Sequence, residues 1–419
     1  MPVRTKEALR ELVRKAVLAA PVTDTCTRLR PQASVYPVPW GIDDLLTSRA
    51  LREEAVRVLP GGRSEELSVM PQPQAAEFLW QTLFVDRTPL SLSCQGILRT
   101  LNALGVESQA RGLPDYRAAA RGMSATDYLD LVFRLSGVKT ACVLCDPLAG
   151  GDEEAWTDLG RPDPRFLPVL SVDTLLNDWR TARECLRERD YTVEDTLTAG
   201  TMDAIRSYLR YSIVKLNPVY LAAALPRGMD GGEDAGELRV LHECILPVAD
   251  EAGIPFGADL SGGMRVPRAC GESDAWAPST LAPLLGLCQR HPRQRFLGLS
   301  AAAALTVPEL RGVRETPNLH LIGCTAPGGA AAAAPLHLCL DQLGGSVTPL
   351  YSEAGAVDEL LPSWDRGRSL LGTVLFERYA ELSEAGWTVT AEDVERDAAE
   401  LLGGAFWRFL GRPNPAAGL

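Results

Sequence analysis

Val22 to Arg28 read V-T-D-T-C-T-R, and Pro21 separates this run from a helix-forming segment before it. The run is rich in β-branched residues, which favour a strand. Side chains two positions apart on a strand point to the same face, so Cys26 and Arg28 would lie side by side. The stretch therefore predicts a first strand that carries a thiol and a guanidinium at its carboxyl end.

Seven further short β-rich runs follow along the chain, and sequence compatible with helices separates them. They are residues 139–145, 166–172, 218–225, 254–260, 295–299, 318–324 and 346–350. Each parallel crossover needs a covering helix, so eight strands alternating with helices predict a (β/α)8 TIM barrel of the α/β class. An open doubly wound sheet shows the same alternation, but it usually carries a glycine-rich phosphate turn after its first strand, and none follows Cys26.

The sequence between the first two strands is too long for a barrel loop, and its pattern is mostly helical. We predict four parts. They are the N-terminal helix with strand one (1–28), a helical insertion over the barrel mouth (29–137), the remainder of the barrel (138–389) and a C-terminal helix packed on the barrel (390–419). Phe406, Trp407 and Phe409 are expected to anchor this last helix.

The charge of the chain limits its partners. The 419 residues include 42 Lys and Arg against 54 Asp and Glu, which gives a net charge of -12. Such a chain is repelled by polyanions, so neither nucleic acid nor a membrane surface is an expected partner. A charged helix occupies the N-terminus in place of a signal peptide, and no run approaches the roughly 18 apolar residues of a membrane span. We therefore expect a cytoplasmic protein, and barrels of this kind can form homo-oligomers.

The cysteines and histidines are expected to be structural. Cys142 and Cys145 form a C-x-x-C pair, but they lie inside an apolar strand-like run, and no second pair completes a zinc site. The four histidines are His242, His291, His320 and His337. We interpret them as packed or solvated side chains, with His320 as the one that could face the barrel interior.

Several phrases in the chain carry a family resemblance. They are P-V-T-D-T-C-T-R-L from Pro21, W-G-I-D-D-L-L-T from Trp40, D-P at Asp146, N-P-V-Y from Asn217, I-P-F from Ile254, I-G-C from Ile322, and the closing G-W-T-V-T and F-W-R-F-L-G-R. In these phrases the chain resembles the uronate isomerase family of the amidohydrolase superfamily. The resemblance implies a barrel from carbohydrate metabolism. It also implies the family reaction, the aldose–ketose isomerisation of glucuronate or galacturonate with a divalent metal.

The resemblance also implies an altered metal site. The family's two strand-one histidines, from a D-x-H-x-H motif, fall on Cys26 and Arg28, and its strand-eight aspartate and arginine fall on Glu353 and Gly355. A histidine near the end of strand five falls on Asp259. A guanidinium has no lone pair for a metal, so the resemblance implies that no metal or other cofactor is bound.

Other family positions are replaced as well. The family's histidine–tyrosine pair falls near Arg49 and Ala50, its substrate-binding arginine on Ser171, its tryptophan on Thr325 and a basic residue on Arg265. The catalytic residues are therefore unknown. The candidate substrate-binding residues are Arg28, Arg49, Ser171, Arg265 and Thr325.

Four hypotheses follow. The preferred one is a metal-free, inactive or repurposed barrel that binds a sugar acid or another carboxylate, with Arg28 paired to Glu353 in the place of the ion. The second is an active isomerase or hydrolase whose zinc or other divalent metal is held by Cys26, Asp259 and Glu353. The third makes Cys26 a nucleophile stabilised by Arg28. The fourth is a non-enzymatic scaffold or regulatory oligomer.

Overall fold

Seven parallel strands form one sheet. The computed structural model describes residues 5–29, 42–58, 67, 69–103, 105, 112–120, 124–149, 163–225, 236–260, 281–299, 305–324 and 333–418. The strands are β1 (Val22–Thr27), β2 (Val138–Cys145), β3 (Phe166–Ser171), β4 (Leu221–Ala224), β5 (Phe256–Asp259), β6 (Phe296–Leu299) and β7 (Leu319–Ile322). Each strand pairs in parallel with the next along the chain. The predicted α/β class and seven of the predicted strands are confirmed.

The eighth predicted strand is not a regular strand. Thr348 forms a single parallel bridge with Ile322 of β7. Farther on, the amide of Glu353 donates to the carbonyl of Cys26 at 3.2 Å, and the amide of Arg28 donates to the carbonyl of Ala354 at 2.8 Å. This segment therefore joins β7 to β1 and occupies the place of strand eight. Beyond the predicted run, Glu353 has a left-handed backbone, with φ of 54°, which interrupts an extended chain beside β1.

Helices precede, separate and follow the strands. They are α1 (Lys6–Ala19), α2 (Ile42–Leu46), α3 (Arg49–Val58), α4 (Gln72–Trp80), α5 (Leu92–Ala103), α6 (Leu113–Ala120), α7 (Ala125–Ser136), α8 (Asp173–Asn177), α9 (Trp179–Glu188), α10 (Ala199–Leu216), α11 (Gly236–Val240), α12 (Leu246–Ala252), α13 (Ala282–Arg290), α14 (Val307–Arg314), α15 (Ala333–Leu343), α16 (Leu360–Glu384), α17 (Ala391–Ala399) and α18 (Ala405–Leu410). None of those that the structure describes is long and apolar enough to span a membrane.

Some of these helices are extended by irregular turns. The π-helical turn Gln81–Val85 prolongs α4, Leu241–Ile245 joins α11 to α12, and Glu400–Gly404 joins α17 to α18. Short 3-10 turns at Val357–Glu359 and Pro415–Gly418 precede α16 and follow α18.

The apolar side chains form three clusters. The largest lies between the strands and the covering helices and contains Val143 and Trp364. A second lies inside the ring of strands and contains Cys142 and Tyr220. Because alternate side chains of β2 enter different clusters, Cys142 and Cys145 are packed on opposite faces, as predicted. Helices α2 to α6 share a third cluster of their own, whereas α7 packs in the largest one. The four-part division of the chain stays a prediction.

The C-terminal helix α18 closes the amino end of the ring. Phe406 and Trp407 belong to the interior cluster, and the indole Nε1 of Trp407 donates to Thr23 Oγ1 at 2.9 Å. Gly403, with φ of 133°, brings the chain so close that a Cβ there would lie 2.7 Å from Thr23 Cβ. The Phe409 ring stacks on His320 with centroids 5.1 Å apart. The predicted anchoring by these aromatic residues is confirmed.

Candidate active site at the carboxyl rim of the strands

The candidate site lies where the parallel strands end. Cys26 is near the end of β1, Ser171 ends β3, Asp259 ends β5, and Glu353 follows in the segment beside β1. Cys26 is 4% exposed and Asp259 is 1% exposed. The carboxyl ends of parallel strands share one rim, which is where barrel enzymes carry their chemistry. The structure thus brings one predicted substrate-binding residue, Ser171, and the three residues of the alternative ligand set, Cys26, Asp259 and Glu353, to the same end of the sheet.

A bulge in β1 separates Asp24 from Cys26. The register with β2 shifts between Asp24 and Thr27. The buried Asp24 carboxylate accepts from the Ser352 amide at 3.1 Å and from Trp364 Nε1 on α16 at 2.8 Å. Cys26 instead packs in the interior cluster. The extra residue of the bulge turns Asp24 toward α16 and keeps Cys26 inside the ring. Burial raises the pKa of Asp24 to about 6.

The surroundings of Cys26 favour a neutral thiol. Burial raises its pKa well above the ordinary value, and the carboxylates of Glu353, Asp24 and Asp259 raise it further. Arg28 acts in the opposite direction and is the weakest of these influences. A nucleophilic cysteine needs a lowered pKa and electropositive surroundings. The arrangement therefore disfavours Cys26 as a nucleophile.

The rim does not form a ready metal site from the residues that are described. Among them, no three His, Cys, Asp or Glu side chains are grouped so that they could hold a metal ion. Asp259 and Glu353 influence the Cys26 thiol, but the three side chains do not converge as ligands. The alternative ligand set thus lacks the geometry that a zinc site requires.

The predicted Arg28–Glu353 ion pair is wrong. Both residues are described, and no ion pair within 4.0 Å joins them in the described part of the chain. Glu353 Oε1 instead accepts the Tyr351 hydroxyl at 3.2 Å. The left-handed backbone of Glu353 turns the chain there, so adjacency of the two segments does not bring the two charges together.

Ser171 belongs to a network of buried polar groups. Its hydroxyl donates to Asp146 Oδ2 at 3.2 Å and accepts the Asp173 amide at 3.3 Å. Asp146 also accepts the amide and the hydroxyl of Thr174 at 3.2 and 2.9 Å. Burial raises the pKa of Asp146 to about 6. Ser171 therefore links β2 to the loop after β3, and its hydroxyl is already engaged by the protein.

The other candidate residues fall outside what is described. Arg49 is the first residue of α3, but its side chain is not described. Arg265 and Thr325 lie outside the described residues. Arg28 is described and partly exposed beside the segment that precedes α16.

The histidines lie away from the rim chemistry. His320 is buried in the interior, with Nε2 2.9 Å from Thr348 Oγ1. Burial lowers its pKa to about 3, so it is neutral. The remaining contacts are His242 Nδ1 with His291 Nε2 at 3.3 Å and His337 Nε2 with Glu377 Oε2 at 2.8 Å. Each histidine has a partner in the protein, as expected of packed side chains.

Sequence reasoning missed two buried tyrosines near Cys26. Tyr220 donates its hydroxyl to the Thr25 carbonyl at 2.8 Å, and burial raises the pKa of Tyr220 well above its ordinary value. Tyr351 contacts Glu353 and is 4% exposed. Tyr351 directly follows the last β-rich run, and Tyr220 closes the phrase N-P-V-Y. Their positions beside predicted strands were the sequence signal that could have identified both tyrosines.

The parallel ring with its polar carboxyl rim defines an α/β barrel-type protein, and solved structures share this fold. No protein-family model and no curated protein sequence matches the chain. A uronate isomerase from Bacillus halodurans is 29% identical, with 99% of each chain covered and a TM-score of 0.92. A glucuronate isomerase from Caulobacter crescentus is 14% identical over 98% of this chain and 96% of its own, with a TM-score of 0.68. A uronate isomerase from Thermotoga maritima is 13% identical over 96% and 97%, with a TM-score of 0.67.

The chain is therefore a structural relative of the uronate isomerases over nearly its whole length. The resemblance inferred from its sequence phrases is confirmed. At 13% and 14% identity, the two more distant structures support the fold alone.

Proposed function

We propose that the chain is a uronate-isomerase-like protein that binds a sugar acid at the rim and does not catalyse metal-dependent isomerisation. The proposal rests on Cys26 and Arg28. The resemblance places the family's two metal-binding histidines at these positions. The surrounding fold matches a uronate isomerase with a TM-score of 0.92.

The described rim residues do not fit the family's metal. A buried neutral thiol is a poor ligand because only the thiolate binds a metal well, and a guanidinium carries no lone pair. The carboxylates of Asp259 and Glu353 add no third ligand to a common point. Without the ion, the protein lacks the Lewis acid on which the family reaction depends.

The same residues suit a sugar acid. The partly exposed Arg28 can bind a carboxylate through two charge-assisted hydrogen bonds. Asp259 and Glu353 would repel that carboxylate, but they accept hydrogen bonds from sugar hydroxyls. The charges therefore favour an oriented uronate, with its carboxylate toward Arg28 and its hydroxyls toward the acidic side of the rim.

One observation supports the alternative of a rebuilt metal enzyme. The carboxylates of Asp259 and Glu353 both lie near enough to Cys26 to raise the pKa of its thiol. A divalent cation would relieve this concentration of negative charge. Metal content separates the alternatives, because the rebuilt enzyme needs one equivalent of zinc or another divalent ion.

The full-length protein should give no ketose from glucuronate or galacturonate above background, with or without added zinc or manganese. Product formation and metal content are measured on the same preparation, beside an active uronate isomerase as control. The reason is the missing ligand set, which removes the transition-state stabilisation that the metal supplies. Turnover near that of the control, or one equivalent of bound metal, would contradict the proposal.

Arg28→Met should weaken glucuronate binding about tenfold or more, because it removes charge-assisted hydrogen bonds and keeps a side chain of similar length. Isothermal titration measures the affinity, and glucose serves as the neutral control ligand. Arg210→Met is the matched variant, since Arg210 is half exposed on α10 and pairs with Glu251. Equal glucuronate affinities in the two variants would show that Arg28 does not belong to the binding site.

A further inference from the structure

A groove between α1 and α16 lies at the end of the barrel opposite the rim. Its first cavity has a volume of about 420 Å³. A second cavity of about 470 Å³ continues along the same helices and shares Arg10, Phe376 and Glu377 with the first. Arg368 in this groove donates to the carbonyls of Ala20 and Gly137, which directly precede β1 and β2. The groove is therefore separate from the candidate active site.

Arg368 is a buried cation without a carboxylate partner in the described part of the chain. Its side chain is 8% exposed, and Nη2 donates to the Ala20 carbonyl at 3.0 Å and to the Gly137 carbonyl at 3.4 Å. Its Nε has no hydrogen-bond partner among the described residues. Burial lowers the pKa of Arg368, yet a guanidinium remains protonated in proteins. The positive charge is thus compensated only by carbonyl dipoles.

Asp365 and Glu377, the two carboxylates that line the first cavity, have partners outside it, and the second cavity adds Glu7, Glu381 and Glu384. Asp365 pairs with Arg99 at 2.9 Å, and Glu377 pairs with His337 at 2.8 Å. Neither carboxylate is within ion-pair distance of Arg368. In the first cavity the Arg368 guanidinium is therefore not paired with either of the two lining carboxylates.

A second arginine reinforces this charge. The Arg10 guanidinium lies 4.5 Å from the centre of the Phe376 ring and forms no ion pair within the described ranges. Arg14 also lines the cavity, but both oxygens of Glu11 bind it. Arg10 and Arg368 are consequently the two cations that remain available to an anion.

Apart from the hydroxyl-bearing Ser369 and Thr373, the rest of the wall is apolar. Val17, Leu18 and Phe376 line the cavity, and a Cβ built on Gly372 would meet no atom within 4 Å. We propose that this groove binds a small organic carboxylate with an apolar body, its carboxylate toward Arg10 and Arg368 and its body against Phe376 and Gly372. Benzoate is the simplest probe of this chemistry, because it joins one carboxylate to one flat apolar ring.

The test is isothermal titration of the full-length protein with benzoate, benzyl alcohol and inorganic phosphate. We expect saturable binding of one benzoate and no comparable binding of the other two. Gly372→Leu should abolish benzoate binding, because the new side chain fills open space and suits a helix better than glycine does. Arg10→Gln should weaken binding about tenfold, since one charged donor is lost.

The control variants separate this site from others. Gly286→Leu introduces the same side chain in α13, where the nearest atom to the new Cβ is Arg290 Nη2 at 4.0 Å, and should bind benzoate like the unaltered protein. Arg28→Met should also retain it, so failure of the rim proposal does not affect this test. Absence of saturable binding, unchanged binding in Gly372→Leu, or equal binding of benzyl alcohol or phosphate would each overturn the proposal.

Discussion

Gly137→Ala should lower the free energy of unfolding by roughly 3 to 5 kcal/mol. Gly137 ends α7 with φ of 70°, and a Cβ there would overlap the Arg368 guanidinium. The guanidinium would have to leave the Ala20 and Gly137 carbonyls, and a buried charge would lose its partners. Denaturant unfolding of the variant and the unaltered protein measures the difference.

Gly253→Ala is the matched control for this effect. Gly253 also follows a helix in the left-handed conformation, with φ of 64°, but a Cβ there would meet nothing within 4 Å. Only the backbone penalty of about 1 kcal/mol applies. Similar losses of unfolding free energy in the two variants would show that the position of the Arg368 guanidinium does not require a glycine at residue 137.

Stability should fall as the pH rises from about 4 to about 6, and Asp24→Asn should remove much of that fall. Burial raises the pKa of Asp24 from 3.8 to about 6 in the folded protein. The unfolded chain therefore releases this proton first. The stabilisation is fully present below the ordinary Asp pKa and is lost as the pH rises through the folded value. The change amounts to about 3 kcal/mol.

The free energy of unfolding, measured at several pH values for both proteins, checks this expectation. Asp146→Asn is the comparison, because burial also raises the pKa of Asp146 to about 6. Each single variant should remove the part of the pH dependence of unfolding free energy that its own aspartate contributes. The part contributed by the other aspartate should remain. A stability that rises over this pH range in the unaltered protein, and does so equally in Asp24→Asn, would contradict the assignment.

Local pattern was sufficient to predict most of the sheet. The first seven strands are short apolar runs whose neighbours along the chain are also their neighbours in space, so periodicity and parallel crossovers identify them. The run from Ser346 to Leu350 forms only a single bridge to β7, at Thr348, and the left-handed backbone of Glu353 beyond it is not signalled by any residue-type preference of glutamate.

Side-chain partners were predicted less well than strand positions. Placing Arg28 and Glu353 on adjacent segments was correct, but pairing them required the backbone direction at Glu353. The sequence predicts Ser171 as a substrate-binding residue, although its hydroxyl is already hydrogen-bonded to Asp146 and to the Asp173 amide. The groove of Arg10 and Arg368 lies between helices from distant parts of the chain, and local sequence patterns do not predict such contacts.

The contact between Thr23 and Trp407 has a consequence for synthesis on the ribosome. Thr23 belongs to the first strand, whereas Trp407 and Gly403 belong to the segment that closes the base of the ring. A nascent chain that has emerged only as far as β7 therefore contains its first strand but lacks the α18 segment that covers the amino end of the ring. The interior apolar side chains remain open to water, and to other nascent chains, until α18 leaves the exit tunnel. Crowded polysomes would accordingly be the setting in which this barrel is most prone to misassembly.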